Sequence, residues 1–267
     1  MELYESGLII FGRGKAELYC VINPVARGEV NTLKNKVAIV TGGIRGIGLA
    51  LAKLLAQEGC RLLITGRDHK ALDEASDLLK KNTPEIAALP CDISDASQVE
   101  ELFQTVQKRY SSVDILVNNA GVAHALASVD KLPVDVWNQA IAINLTGMFL
   151  MSRSALPSMP VGATIVNNLS VAAIQSFPGM AAYNASKAGA LGFTNVLRED
   201  LRKRGIRVLA VVAGPTDTGI WDQFWTDAPR DKMISPETVA QAIFNALTVP
   251  VEATIEEIRI GPSTGTI

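Results

Sequence analysis

The chain has 267 residues, 48% hydrophobic and 19% charged, a globular composition that excludes a disordered or fibrous protein and suits one sizeable α/β domain. A net charge of −2 argues against a nucleic-acid or membrane-surface partner, and no apolar run approaches the ~20 residues that span a bilayer. The start of the chain lacks the basic region and long apolar core of a signal peptide, and Cys20, Cys60 and Cys91 form no CxxC pair; the expectation is a cytoplasmic protein with reduced, structural thiols and no bound metal.

Residues 1–32 differ from the rest. Leu8–Phe11 and Glu17–Ile22 are short β-like runs around Gly12-Arg13-Gly14-Lys15, either a hairpin or a poorly ordered extension without chemistry of its own. From residue 33 to 267 a single domain is expected. Strands are predicted at 37–41, 61–65, 86–91, 114–118, 163–167, 207–212 and 254–260. Helices are predicted from the glycines after the first strand to Glu58, then at 68–81, 95–110, 134–156, 181–204 and 236–248. Short, continuously apolar strands alternating with helices imply a parallel sheet covered on both faces. The fold class is therefore α/β, a doubly wound Rossmann-type parallel sheet of about seven strands.

The turn after the first strand reads Thr41-Gly42-Gly43-Ile44-Arg45-Gly46-Ile47-Gly48. Glycines between a strand and a helix let the backbone approach a pyrophosphate, and the helix start supplies free N–H groups with partial positive charge. The spacing is Gly-x3-Gly-x-Gly. Further along come Asn118-Asn119-Ala120-Gly121, Tyr183-Asn184-Ala185-Ser186-Lys187, a serine (Ser170) 13 residues before Tyr183, and Asn144, 26 residues before Ser170. In these motifs, taken in order over about 36–262, the sequence resembles the short-chain dehydrogenase/reductase family. The resemblance implies an oxidoreductase that moves a hydride between a nicotinamide dinucleotide and a small carbonyl or alcohol.

Charge argues for the cofactor. NAD-binding sheets place a carboxylate at the end of the second strand for the ribose 2′-hydroxyl. Here Gly66 stands there, followed by Arg67, with Arg45 in the glycine turn. Arginines grip a 2′-phosphate through charge-assisted hydrogen bonds that a carboxylate would oppose, so NADP(H) is expected. By resemblance the remaining cofactor contacts fall on Gly42, Gly46, Ile47 and Gly48, on Asp92 and Ile93 beside the adenine, on Asn119, Ala120 and Gly121, on Tyr183 and Lys187, and on Gly214, Thr216 and Thr218.

Hydride transfer to a carbonyl puts negative charge on its oxygen, which then needs a proton donor. A phenol titrates near pH ~10, and a neighbouring ammonium favours its ionised form. Tyr183 and Lys187 are four apart, hence on one helix face. The resemblance makes Tyr183 the general acid–base and gives Lys187 the ribose hydroxyls and the lowering of the Tyr183 pKa. It assigns Ser170 to the substrate oxygen and Asn144 to a water relay.

The family's Pro-Gly after the sixth strand is Ala213-Gly214 here, which removes a fixed φ. Segment 219–234, with Trp221, Phe224 and Trp225, is read either as an apolar substrate lid or as a helix packed on the core. Trp137 is assigned to packing or subunit contact. His124, after the Asn-Asn-Ala-Gly segment, either lines the pocket or sits at the surface, with the surface favoured. A homotetramer or homodimer is implied by the resemblance alone. The alternatives are a 3-oxoacyl-carrier-protein reductase, although Ile258-Arg-Ile-Gly-Pro262 lacks the glycine-rich ending of those enzymes, and a non-catalytic NADP(H) sensor on the same fold.

Overall fold

The strand β1 (Val37–Thr41) is buried along its whole length, as a central strand of a sheet covered on both faces must be. It pairs in parallel with β2 (Arg61–Gly66) on one side and β4 (Ile115–Asn118) on the other. β3 (Ile86–Pro90), β5 (Thr164–Asn168), β6 (Arg207–Ala213) and β7 (Glu257–Ile260) complete a parallel seven-stranded sheet in the order β3-β2-β1-β4-β5-β6-β7. The structure is a computed structural model and describes residues 32–83, 85–250 and 252–265. The two runs of the possible N-terminal hairpin, and Cys20, lie outside the described residues.

Alternation along β1 divides the core. Ala38 and Val40 face the cluster made by Leu51 and Leu55 of α1 (Gly46–Gln57), Leu72 and Leu79 of α2 (His69–Leu79), and Ile243 and Leu247 of α7 (Pro236–Leu247). Val37 and Ile39 face the other layer, with Phe103 of α3 (Ala96–Arg109), Met151 of α5 (Met148–Ala155) and Leu197 of α6 (Ala181–Arg202). Truncating Leu51, Leu55, Ile243 or Leu247, all fully buried, to alanine costs about 2–5 kcal/mol. The doubly wound Rossmann-type expectation is borne out.

Strand order reverses beside β1, where the next strand in sequence lies at β2 and the next on the other side is β4. That reversal opens a crevice at the carboxyl ends of the strands, the place where such sheets bind ligands. Three helices carry their own caps there or nearby. Asp68 accepts from Ala71 N–H, Asp95 from the N–H groups of Ser97 and Gln98, and Ser235 from Thr238 N–H. α1 begins after Arg45 with no side-chain cap, so its first N–H groups face the crevice uncovered by the chain's own side chains.

Two expected elements change shape. The helix expected at 134–156 is α4 (Val134–Ile141), a π-helical turn at Ala142–Gly147, and then α5. Apolar periodicity does not register the widened turn. The last strand starts at Glu257 rather than Thr254, and just before it the Arg198 guanidinium donates to the carbonyls of Val208 and Glu256.

Candidate active site

The glycine turn is closed by contacts that only glycines permit. Gly42 and Gly46 have φ of 62° and 54°, a region that side chains disfavour. Gly48 has no such φ, but a Cβ there would lie 2.4 Å from both Asn119 Nδ2 and the Gly42 carbonyl oxygen. Asn119 Nδ2 donates to the carbonyls of Thr41 and Gly42 at 2.9 and 3.2 Å, and the Thr41 hydroxyl accepts from the N–H groups of Asn119 and Ala120. From Asn119 the network continues: Asn168 Nδ2 donates to Asn119 Oδ1 at 2.9 Å, and Lys187 Nζ donates to the Asn168 carbonyl at 3.2 Å. A continuous, partly buried network of hydrogen bonds thus ties the glycine turn to Lys187.

Arg45, Gly46, Ile47, Arg67, Asp92 and Ile93 line one end of a cleft of about 430 Å³. Arg67 lies 3.9 Å from Asp92 in a loose, half-exposed pair, of little energetic weight in that setting. Thr218 closes over the same end, its Cγ2 lying 3.1 Å from where a Gly46 Cβ would stand. Ala213 ends β6 paired with Ile260, and Gly214 N–H donates to the Ile260 carbonyl at 2.7 Å. The edge strand thus holds the loop to Thr216 in place, although the proline of the family pattern is missing. The residues fit a dinucleotide phosphate: an uncapped helix start, a turn too tight for any Cβ, and two guanidinium groups at one rim.

At the other end the structure brings Ser170, Tyr183 and Lys187 together. Ser170 leads a 3-10 turn at Val171–Ala173, its Oγ accepting from Ala172 N–H at 3.1 Å. Tyr183 is 8% exposed, and burial holds its phenol above the ordinary value, while a hydrogen bond with Ser170 pulls the other way. Lys187 Nζ lies 5.7 Å from the Tyr183 ring centroid. Burial also lowers the Lys187 ammonium to about 8.

Asn144 sits in the π-helical turn, and its side chain is fully engaged. Oδ1 accepts from Val122 N–H at 2.8 Å, and Nδ2 donates to the Val122 carbonyl and to Ser186 Oγ, both at 2.9 Å. It clamps Gly121 beside Lys187, whose Nζ lies 3.6 Å from the position of a Gly121 Cβ.

His124 is a correction. It is 6% exposed rather than at the surface. Nδ1 faces the Ala125 carbonyl at 2.8 Å, and Nε2 accepts from Tyr183 N–H at 3.3 Å. α6 has no side-chain cap from its own N-cap residue, so an imidazole from a distant loop satisfies an N–H of its first turn. Asn168, Gln223 and Arg230 were also missed by sequence reasoning, since each acts through partners remote in the chain.

Segment 219–234 is not a helix packed on the core. It runs through two short 3-10 turns, at Trp221–Gln223 and Arg230–Lys232, of which the first lines the cleft. Trp221 Nε1 donates to the Thr216 carbonyl at 2.8 Å, and Gln223 Oε1 accepts from Ala123 N–H at 2.9 Å. Arg230 binds Asp217, Asp222 and the Thr218 carbonyl. Trp221, Phe224 and Trp225 all line the cleft.

Residues 36–229 match the model of the short chain dehydrogenase family, and the chain belongs to that family. An uncharacterized oxidoreductase of Staphylococcus aureus (strain USA300) is 30% identical over 236 residues, covering 87% of this chain and 100% of that one. A short chain dehydrogenase from Burkholderia cenocepacia J2315, solved in complex with NADP, superposes with a TM-score of 0.78 at 30% identity, covering 86% of this chain and 98% of that one. An alcohol dehydrogenase from the archaeon Thermococcus sibiricus, complexed with 5-hydroxy-NADP, gives a TM-score of 0.78 at 25% identity, covering 87% and 98%. Among the described residues, no helix is long and apolar enough to cross a membrane.

Proposed function

We propose that this chain transfers a hydride between NADP(H) and a carbonyl or alcohol substrate, with Tyr183 as the group that gives and takes the proton. The observation that carries the reading is the grouping of Ser170, Tyr183 and Lys187 on one wall of a cleft whose far end is the uncapped start of α1. When bound, the nicotinamide supplies the hydride.

The residues for holding the dinucleotide follow from the site. The Gly42, Gly46, Ile47 and Gly48 backbone takes the pyrophosphate. Arg45 and Arg67 take the 2′-phosphate, a choice supported by the NADP-type ligands of the two solved relatives. Asp92 and Ile93 flank the adenine, Asn119, Ala120 and Gly121 the adjoining ribose, and Gly214, Thr216 and Thr218 the nicotinamide side.

Tyr183 holds a proton on its hydroxyl across neutral pH, because burial keeps the phenol protonated. That is the form needed to donate to a developing alkoxide in reduction. Ser170, whose Oγ accepts Ala172 N–H and whose hydroxyl bonds Tyr183, turns its proton to the same substrate oxygen when substrate binds. Lys187 orients the ribose hydroxyls and adds positive charge near the reacting oxygen. Asn144 fixes the loop against α6, and a water held near it relays protons from Lys187 to solvent.

The test is titration with NADPH and NADH, followed by NADPH oxidation against ketones, 3-oxoacyl thioesters and quinones. The reading expects tighter NADPH binding and turnover that disappears in Tyr183→Phe. Tight binding without turnover on any member would instead favour a sensor.

A further inference from the structure

We propose that the substrate is an uncharged, hydrophobic ketone or aldehyde that buries one polar group, its carbonyl. This rests on the hydride-transfer reading above. The charged side chains lining the cleft, among the described residues, are Arg45, Arg67, Asp92 and Lys187. The first three stand at the glycine turn and the ends of β2 and β3, on the dinucleotide side. Lys187 has its Nζ 5.7 Å from the Tyr183 ring centroid and donates to the Asn168 carbonyl.

The half of the cleft beyond Tyr183 is walled differently. Phe177, Ile220 and Phe224 pack against a cluster of Ala172, Met180 and Tyr183, and Trp221 lies tilted against Phe224 with centroids 4.7 Å apart and 6.2 Å from Trp225. The indole N–H of Trp221 is already given to the Thr216 carbonyl. The arginine of this lid, Arg230, binds Asp217, Asp222 and the Thr218 carbonyl and does not line the cleft.

A carboxylate or phosphate on the substrate would therefore enter a largely aromatic chamber in which the lid supplies the Gln223 amide but no cation. Burying an unpaired charge is far costlier than burying a neutral polar group. The Ser170 and Tyr183 hydroxyls match one carbonyl oxygen, and the aromatic wall matches a ring or chain behind it.

The experiment compares 4-phenylbutan-2-one with the same ketone carrying a carboxylate on its ring. It uses two readouts: NADPH oxidation by the full chain, and quenching of tryptophan fluorescence in its NADP⁺ complex. The expected result is quenching by the neutral ketone alone and kcat/KM at least about 30-fold higher for it, the size of a missing partner for a buried charge. Phe224→Arg is expected to narrow that ratio. Quenching by the neutral ketone without any NADPH oxidation would keep the apolar chamber and remove the hydride-transfer reading. Equal quenching by both ketones, quenching by neither, or a kcat/KM for the carboxylate equal to or above that of the neutral ketone would overturn the inference.

Discussion

His124 Nε2 accepts the main-chain N–H of Tyr183, across 59 positions of sequence, while its Nδ1 faces the Ala125 carbonyl. In this pair of contacts Nε2 serves as acceptor and Nδ1 points at a carbonyl that can only accept. The pair also places the start of the Tyr183 helix by a bond to the loop that follows Asn-Asn-Ala-Gly. A positioned phenol matters because proton transfer requires hydrogen-bond distance to the substrate oxygen.

Replacing His124 with alanine leaves one N–H of the first turn of α6 without a partner, a loss of about 1 kcal/mol in helix capping. His124→Ala is expected to lower kcat by roughly tenfold, with the dissociation constant for NADPH unchanged. His124→Gln, whose amide oxygen accepts the same N–H, restores most of it. Steady-state kinetics on both variants check this, and a matching fall in NADPH affinity would count against a positioning role.

Lys187 gives a pH-dependent stability prediction. Burial lowers its ammonium from 10.5 to about 8, so the folded chain releases this proton before the unfolded chain does. Between those values the unfolded state holds more protons, and stability rises with pH through the window. Below pH 8 the full cost is present, on the order of 3 kcal/mol. Lys187→Met is therefore expected to stabilise the fold at pH 7 by roughly 1–3 kcal/mol, less the Asn168 carbonyl's lost donor, while turnover collapses. Urea midpoints at pH 7 and pH 10.5 check this; the gain shrinks at the higher pH.

Gly48→Ala would drive its Cβ to 2.4 Å from Asn119 Nδ2 and the Gly42 carbonyl. Both are held by the turn itself, so neither moves cheaply. A stability loss of about 1–3 kcal/mol is expected, together with weaker NADPH binding, because the displaced Asn119 is the link between the turn and Asn168. Thermal unfolding with and without NADPH separates the two effects.

Arg45→Ala combined with Arg67→Ala removes both guanidinium groups at the rim. NADPH affinity is expected to fall about 10–100-fold while NADH affinity changes little, the worth of charge-assisted hydrogen bonds to a phosphate. Titration with each dinucleotide is the check, and an equal fall for both would count against the 2′-phosphate assignment.

The parallel sheet was readable because its strands are continuous apolar runs between helices. Gly42, Gly46 and Gly48, and the pair Tyr183 and Lys187, were readable because their meaning is carried by spacing along the chain. The rest depends on pairings that spacing does not encode. Asn144 sits in a π-helical turn that apolar periodicity passes over, and its side chain reaches back to Val122. His124 resembles any loop histidine until α6 is laid against it. Arg230 is an exposed-looking charge in sequence, yet it fastens the lid through three partners. The hydrogen bond between Ser170 and the Tyr183 phenol, and the burial that opposes it, are likewise set by packing that spacing does not encode.

The most direct measurement follows NADPH absorbance with 4-phenylbutan-2-one for the wild-type chain and Tyr183→Phe, with NADPH affinity determined for both. The account predicts that Tyr183→Phe binds NADPH within about threefold of wild type while its turnover falls about 10²–10⁴-fold. Turnover at the wild-type rate in Tyr183→Phe would contradict it.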